Sequence, residues 1–347
     1  MDINKVIINR NKNIRQAMQA IDNASKKVLF IVDEDSKLIG SLSDGDIRRW
    51  ILKNGSLDAG VDSIMNKNPI TLNTKDLQKA MMIMRKKGIT AIPIIQENRK
   101  IIDICFWAEE DLDCQKTINA KVVIMAGGKG ERLMPYTSIV PKPLIPIGEK
   151  PIIELVIDSF KNYGCKEFFI TVNYKKNMLK AYLEELDKDY KIKYVEEDKP
   201  LGTGGSLYFL KNDINSTFFV SNCDILLETD YADIMNFHRT SKNIITVVTS
   251  LKKYTVPYGV VNINSDGSIN SLIEKPSADY LVNTGVYVVE PDVLNYLNDN
   301  EFMHITDLIA KCLRDNKRVG TYPISEDAWM DMGQFEDMEK MKKRLDR

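Results

Sequence analysis

Histidine, paired cysteine and long apolar runs are scarce in this sequence. Of its 347 residues only His238 and His304 are histidine, and the five cysteines are scattered without a CxxC pair. This argues against a histidine-rich metal centre, a zinc framework and a disulfide-stapled fold, and it favours reduced thiols in a cytoplasmic protein. No apolar run approaches the ~20 residues that a membrane helix needs, and the first residues lack the apolar core of a signal peptide.

A strong charge of either sign is also missing. The chain has 48 Lys+Arg against 49 Asp+Glu, which gives a net charge of −1. A protein that holds a phosphate backbone or an anionic membrane by bulk charge needs a marked positive excess. We therefore expect neither a nucleic acid nor a membrane as partner. At roughly 150 residues per domain, the length predicts about two domains.

The front of the chain contains an internal repeat with an offset of 63 residues. Without any gap, Ile14 aligns with Leu77 and Ile31 aligns with Ile94. Each copy runs through an amphipathic helix, an apolar strand, a polar turn, a second apolar strand and a further helix. Two unrelated αββα segments are the alternative, but a match of pattern and length without a gap favours duplication.

The duplicated unit resembles a tandem pair of CBS domains. In that family, a Ser or Thr followed three residues later by Asp contacts the phosphate and ribose of an adenine nucleotide. Ser43 and Asp46 match this pattern, so the resemblance implies a regulatory nucleotide site there and an association into homo-oligomers. The second copy has Phe106 and Glu109 instead, which leaves at most one good ribose site. A simple N-cap role for Ser43 stays open.

The predicted domain organisation has two parts. A tandem CBS regulatory domain occupies about residues 1–115, with its repeats at about 1–63 and 64–115. A polar stretch without periodicity, about Cys114–Asn119, is the expected linker. Residues 120–347 form the second domain, in which strands and helices alternate. This alternation predicts an α/β sheet with helices on both faces and ligands at the carboxyl ends of its strands.

A glycine-rich loop follows the first apolar strand of the second domain. Gly127, Gly128 and Gly130 allow backbone N–H groups to approach a phosphate closely. The dinucleotide fingerprint fails because Leu133 stands where its third glycine belongs, and a Walker motif fails because Glu131 follows Gly130. Positive charge is added around the loop by Lys129, Arg132 and Lys142.

With these residues, the sequence resembles the sugar-phosphate nucleotidylyltransferase family over about residues 120–347, and in particular enzymes that guanylylate glucosamine or mannose 1-phosphate. The family hallmark, GGxGxRLxP followed by PKP, stands at 127–135 and 141–143. The other family motifs follow in order as EEDKPLGTGGSL (196–207), SNCD (221–224), VPYGVV (256–261), EKP (274–276), NTG (283–285) and WMDMG (329–333). The resemblance implies a Rossmann-like domain with a mixed, mostly parallel sheet after an α+β CBS pair.

The resemblance also implies an activity and a set of site residues. Such enzymes transfer a nucleoside monophosphate from a nucleoside triphosphate to a sugar 1-phosphate with the help of Mg²⁺, releasing pyrophosphate. The implied catalytic residues are Arg132, Lys142, Asp224 and Lys275, and the implied metal ligands are Asp224 and Asp331. The implied nucleotide contacts are Ala126, Gly127, Gly128, Gly130, Glu197, Gly202, Thr203 and Asn222. The implied sugar contacts are Tyr258, Gly259, Glu274, Lys275, Asn283 and Thr284.

These residue types suit the chemistry. All reacting groups are anionic, so catalysis consists mainly of positioning and charge neutralisation, without a protein nucleophile. Mg²⁺ prefers one or two carboxylates together with phosphate oxygens and water. The planar fork of Arg132 can clamp the β- and γ-phosphates, whereas Lys142 and Lys275 can neutralise the α-phosphate and the sugar phosphate. Each Asp could instead be a turn or helix cap, and each Lys a solvated surface charge.

The base and the sugar stay open at this point. Guanine presents N1–H and N2–H₂ together, and one carboxylate, Glu196 or Glu197, can accept both. GTP with a hexose or hexosamine 1-phosphate is the favoured pair, and UTP and CTP remain alternatives. A cytidylyl- or uridylyltransferase acting on another phosphate and a non-catalytic nucleotide-sensing subunit are the competing functions.

Overall fold

The computed structural model describes residues 3–24, 26–107 and 117–345. Its backbone contacts divide the chain into two units, Met1–Gln115 and Lys116–Arg347. The first half of the expected linker, and the helix predicted after Phe106 in the second repeat, lie outside the described residues. No helix within the described ranges combines the length and the apolar character needed to cross a membrane.

The first unit repeats its elements at the predicted offset of 63 residues. Its helices are α1 (Ile14–Ala24), α2 (Asp44–Ile51) and α3 (Leu77–Lys87), and its strands are β1 (Ile7–Asn9), β2 (Val28–Val32), β3 (Leu38–Ser43), β4 (Ala91–Ile95) and β5 (Ile101–Phe106). The bounds of α1, β2 and β3 recur 63 residues later in α3, β4 and β5. Lys37 and Lys100, which are equivalent under this offset, form an antiparallel bridge with each other. The predicted duplication is therefore confirmed.

A seven-stranded sheet organises the second unit. Its strands have the spatial order β10, β9, β6, β11, β16, β13, β17, and only β16 runs antiparallel to its neighbours. Their bounds are β6 (Lys121–Met125), β9 (Glu167–Val172), β10 (Lys191–Glu196), β11 (Phe218–Asn222), β13 (Ile245–Thr255), β16 (Ser277–Val289) and β17 (Val319–Ile324). This confirms the predicted mixed, mostly parallel α/β sheet.

Three short strand pairs complete the second unit. They are β7 (Pro146–Ile147) with β8 (Lys150–Pro151), β12 (Ile225–Leu227) with β18 (Trp329–Asp331), and β14 (Val260–Ile263) with β15 (Ile269–Ile273). The helices of this unit are α4 (Tyr136–Ile139), α5 (Ile152–Lys161), α6 (Lys176–Glu185), α7 (Tyr231–Ser241), α8 (Ile305–Arg314) and α9 (Phe335–Leu345). The alternation of strands and helices predicts helices at GGSLYFLKN and PDVLNYLN, but these segments form only single six-residue 3₁₀ helices, Gly205–Leu210 and Pro291–Tyr296.

Helices cover both faces of the sheet, as predicted. Alternate residues of β6 belong to different apolar layers: Val122 packs with α5, α6 and α7, whereas Val123 packs with α8 and the two 3₁₀ helices. Because both faces are buried, the strand is a continuous apolar run.

The strand order fixes where a ligand can bind. From β6 the chain moves outward through β9 to β10, and it then returns to the other side of β6 with β11. A crevice opens at such a reversal, outside the carboxyl ends of the two strands. The loops that follow Met125 and Asn222 both lie at this crevice.

Candidate active site

The glycine loop after β6 is held tightly at both ends. The backbone N–H of Ala126 donates to the carbonyl oxygen of Thr171 at 3.1 Å and to its Oγ1 at 3.2 Å, so Ala126 anchors the loop. Gly130 has φ +67°, and a Cβ there would lie 2.9 Å from Cγ2 of Thr137 and 3.1 Å from Cβ of Lys142. Only glycine fits this close approach, which brings Lys142 against the loop.

A cleft of about 760 Å³ opens beside this loop. Most residues that the sequence predicted for catalysis and nucleotide binding line it together: Gly127, Gly128, Gly130, Arg132, Lys142, Glu197, Gly202, Thr203, Asn222 and Asp224. Residues from five separate segments, spread over about 100 positions, therefore meet at the predicted end of the sheet.

The two predicted metal ligands are brought together by a short strand pair. β12 and β18 run antiparallel with Ile225 opposite Asp331, and the backbone N–H of Met332 donates to the carbonyl oxygen of Asp224 at 3.0 Å. The carboxylate of Asp224 forms an ion pair with Lys142, and both side chains are largely buried. This register holds positions 224 and 331 side by side. Asp224 lines the cleft, whereas Asp331 lines a second pocket of about 250 Å³.

The electrostatics of the pair favour a bound cation. Burial first, and then the negative charge of Asp224, raise the pKa of Asp331 to about 6, against the opposing charges of Lys142 and Arg132. Asp224 is buried and Asp331 is partly buried, so their carboxylates repel each other, and a divalent cation between them would relieve the repulsion. The described residues contain no group of three or more His, Cys, Asp or Glu side chains that could hold a metal. The donor set therefore fits Mg²⁺, which binds one or two carboxylates and takes its other ligands from phosphate and water.

Arg132 reaches the same place from the glycine loop. A Cβ on Gly333 would lie 3.3 Å from Nη1 of Arg132 and 3.1 Å from Oδ1 of Asp331. Gly333, two residues after Asp331, thus leaves room for the guanidinium beside the predicted metal ligands. An anionic group bound at this point can be held by the guanidinium fork.

Glu196 and Glu197 are neighbours at the end of β10, but their surroundings differ. Glu196 pairs with Lys180 and, at 2.6 Å, with Lys176, and these two cations lower its pKa to about 2. Glu197 is only 5% exposed, lines the cleft, and accepts a hydrogen bond from the backbone N–H of Leu201 at 3.3 Å. Burial raises the pKa of Glu197. Of the two carboxylates left open by the sequence, the structure brings only Glu197 to the cleft.

The six predicted sugar contacts do not line this cleft in the described part of the chain. Asn283 and Thr284 lie on β16. The other four lie in the connections that join the hairpin of β14 and β15 to β13 and to β16: Tyr258, Gly259, Glu274 and Lys275. Tyr258 is 74% exposed. Thr284 is buried and donates its hydroxyl to the carbonyl oxygen of Val248 at 2.8 Å. Their contact with a sugar stays a prediction.

Two aromatic residues at the cleft were missed by sequence reasoning. Phe302 and His304 line its wall beside Gly202 and Thr203, about 100 residues further along the chain. The one local signal was the three glycines of LGTGG, since such a density of glycine indicates close backbone packing against another segment.

In the first unit, Ser43 and Asp46 form a capping box at the start of α2. The backbone N–H of Asp46 donates to Oγ of Ser43 at 3.2 Å, and the backbone N–H of Ser43 donates to Oδ2 of Asp46 at 2.9 Å. The structure thus bears out the N-cap role of Ser43. Nucleotide binding by the same two side chains stays a prediction.

Both units match known protein families. Residues 1–53 and 61–105 match the CBS domain, and residues 121–347 match the family model described as nucleotidyl transferase. The structure of HddC from Yersinia pseudotuberculosis shares the fold, with a TM-score of 0.52 and 23% sequence identity over 65% of this chain and 99% of that one.

Curated relatives match the second unit. Mannose-1-phosphate guanyltransferase of Saccharomyces cerevisiae is 32% identical over 227 residues, and the enzyme of the same name from Schizosaccharomyces pombe is 30% identical over 226 residues. The chain spans only 62% of the length of each. The bifunctional protein GlmU of Methanococcus maripaludis is 31% identical over 207 residues, 57% of this chain and 48% of that protein. Since the family model covers well over half of its residues, this chain belongs to the nucleotidyl transferase family and carries a CBS-domain pair ahead of the family domain.

Proposed function

We propose that this protein is a sugar-1-phosphate nucleotidyltransferase that uses GTP and a hexose or hexosamine 1-phosphate. The observation that carries the proposal is the meeting of the glycine loop with Asp224 at one cleft, with Asp331 held beside Asp224 by the pairing of β12 and β18. Relatives named mannose-1-phosphate guanyltransferase support it. The products would be a nucleoside diphosphate sugar and pyrophosphate.

The proposed reaction is an in-line displacement at phosphorus. A phosphate oxygen of the sugar 1-phosphate forms a bond to the α-phosphorus while the bond from that phosphorus to the α–β bridging oxygen breaks. The sugar phosphate is already ionised at neutral pH, so no general base is required. Bound Mg²⁺ would supply positive charge to the phosphate oxygens at Asp224 and Asp331.

The chain's own residues would position the phosphates and neutralise their charge. Gly127, Gly128 and Gly130 line the cleft, and their N–H groups would bind phosphate oxygens. The guanidinium of Arg132 would hold the leaving pyrophosphate. Lys142, which already pairs with Asp224, would lie beside the α-phosphate and balance the charge that develops there.

Glu197 would select guanine. A carboxylate can accept N1–H and N2–H₂ of this base together, and Glu197 is a buried carboxylate that lines the cleft and is separate from the pair proposed to hold the metal. Charge-assisted hydrogen bonds of this kind contribute about 1.5–3 kcal/mol, so Glu197→Gln should lower kcat/KM for GTP roughly 10- to 100-fold. The measurement is pyrophosphate release from GTP, ATP, UTP and CTP with mannose 1-phosphate and with glucosamine 1-phosphate.

A matched control is the neighbouring carboxylate. Glu196→Gln removes a charge that is paired with Lys176 and Lys180, and it should leave the preference among the four triphosphates unchanged. A parent protein that prefers UTP or CTP would refute the guanylyl assignment. Activity with a non-sugar phosphate alone would refute the sugar assignment.

We further propose that the first unit binds an adenine nucleotide at Ser43 and Asp46. A carboxylate can accept both ribose hydroxyls, and the start of α2 favours an anionic phosphate. Calorimetry with AMP and ATP should show binding by the parent chain and at least a tenfold loss in Asp46→Ala. The control is Asp44→Ala in the same helical turn, where the carboxylate pairs with Arg48. If the parent binds neither nucleotide, the first unit has no such regulatory site.

A further inference from the structure

The loop that contains the LGTGG motif packs backbone to backbone against residues 301–305. The N–H of Met303 donates to the carbonyl oxygen of Leu201 at 3.0 Å, and the carbonyl oxygen of Met303 accepts from the N–H groups of Gly204 at 2.9 Å and Gly205 at 3.0 Å. A Cβ at Gly202 would lie 2.6 Å from the carbonyl oxygen of Met303. Such a distance leaves no space for a side chain, so these glycines serve the contact with the second segment.

This contact fixes the directions in which the side chains of residues 302–304 point. Met303 is 3% exposed and packs into the apolar core, whereas Phe302 and His304 on either side of it line the cleft. Beyond them, the N–H of Ile305 donates to Oγ1 of Thr203 at 3.1 Å. The segment is therefore anchored to the cleft wall before and after its two aromatic residues.

Phe302 is an exposed ring at a defined position in a cleft for anionic ligands. It is 58% exposed, and its ring centroid lies 4.9 Å from that of His304 at an interplanar angle of 82°. An edge-to-face neighbour holds one side of the ring and leaves a face open. Covering an exposed apolar ring with a ligand lowers the free energy of the complex, but phosphate groups are too polar to provide this cover.

A nucleobase can cover the exposed ring of Phe302. Phe302 shares its wall of the cleft with Pro200, Gly202 and Glu197, which is the carboxylate proposed to read the base. Aromatic side chains stack on nucleobases, and the larger ring system of a purine overlaps a phenyl ring more fully than a pyrimidine does. We propose that Phe302 is a specificity-determining residue that stacks on the purine base of the bound triphosphate. This inference rests on the proposed function and adds a second selection for a purine to the hydrogen bonds of Glu197.

The first test measures equilibrium binding by the full chain without any sugar phosphate. Stacking on one base predicts that Phe302→Ala raises the Kd for GTP roughly 5- to 100-fold, while Phe302→Tyr keeps the Kd near that of the parent. Phe209→Ala is the matched control, because Phe209 is also exposed and aromatic but does not line the cleft. An unchanged Kd for GTP in Phe302→Ala would overturn the proposal.

A second readout is the fluorescence of a tryptophan introduced at position 302. The indole in Phe302→Trp should lose fluorescence when GTP binds and less when UTP binds, after subtraction of the parent signal from its three tryptophans. A Phe302→Ala variant that changes only KM for the sugar phosphate would assign the ring to the sugar and refute stacking on the base. A parent that binds no triphosphate would instead refute the proposed function, so the two failures are distinguishable.

Discussion

Asparagine in place of Asp224 should lower turnover roughly a thousandfold while the chain stays folded. The carboxylate lies beside Asp331 at the cleft and pairs with Lys142. Its removal takes away one of two protein ligands for Mg²⁺, and charge stabilisation by a bound metal is worth several kcal/mol in the transition state. Asparagine keeps the shape of the side chain and its oxygen, so the packing around position 224 is retained.

The measurement is pyrophosphate release at saturating substrates, together with a thermal unfolding curve for each variant. Asp213→Asn is the matched control, since Asp213 also pairs with a lysine, Lys193 at 2.7 Å, but outside the cleft. We expect parent-like turnover in this control. Parent-like turnover in Asp224→Asn would remove this carboxylate from the metal site and leave the proposed mechanism without its central element.

The sequence could predict those parts of the site that directly follow a strand. The glycine loop follows β6 and Asn222 ends β11, and parallel strands bring their carboxyl ends to one edge of the sheet. The repeat in the first unit was equally visible, because an ungapped offset preserves the apolar period of both the helix and the strands.

Other parts depend on tertiary packing that no local pattern reveals. Neighbouring residues at a strand end point to opposite sides, so the choice between Glu196 and Glu197 required knowing where Lys176 and Lys180 lie. Phe302 and His304 reach the cleft only because their segment pairs with a loop about 100 residues earlier. The sequence of strand β17, VGTYPI, does not predict a strand because it contains Gly and Pro. Both are tolerated there because β17 is an edge strand that pairs only with β13.

Asparagine in place of Asp331 should raise the free energy of unfolding of the metal-free protein at pH 8 and abolish turnover. Burial and the charge of Asp224 raise the pKa of Asp331 to about 6, above its ordinary value of 3.8. A carboxyl whose pKa is higher in the folded state favours folding at low pH, and this contribution is lost as the pH rises through the folded pKa. At pH 8 the ionised Asp331 therefore destabilises the fold, by up to about 3 kcal/mol for a shift of roughly two pKa units.

The neutral amide removes this cost, so the expected gain is largest above pH 7 and becomes small near pH 4, where Asp331 is protonated in the folded state. Urea unfolding of parent and variant in EDTA, from pH 4 to pH 8, measures the difference.

Asp213→Asn should show no such pH-dependent gain, because its partner Lys193 lies near the surface. Excess Mg²⁺ with GTP should stabilise the parent more than Asp331→Asn, since only the parent keeps both carboxylates. If the variant has no higher free energy of unfolding than the parent at pH 8, the ionised Asp331 does not destabilise the fold. Loss of turnover together with this gain in stability would support the proposal that Asp331 holds a metal ion for the bound triphosphate.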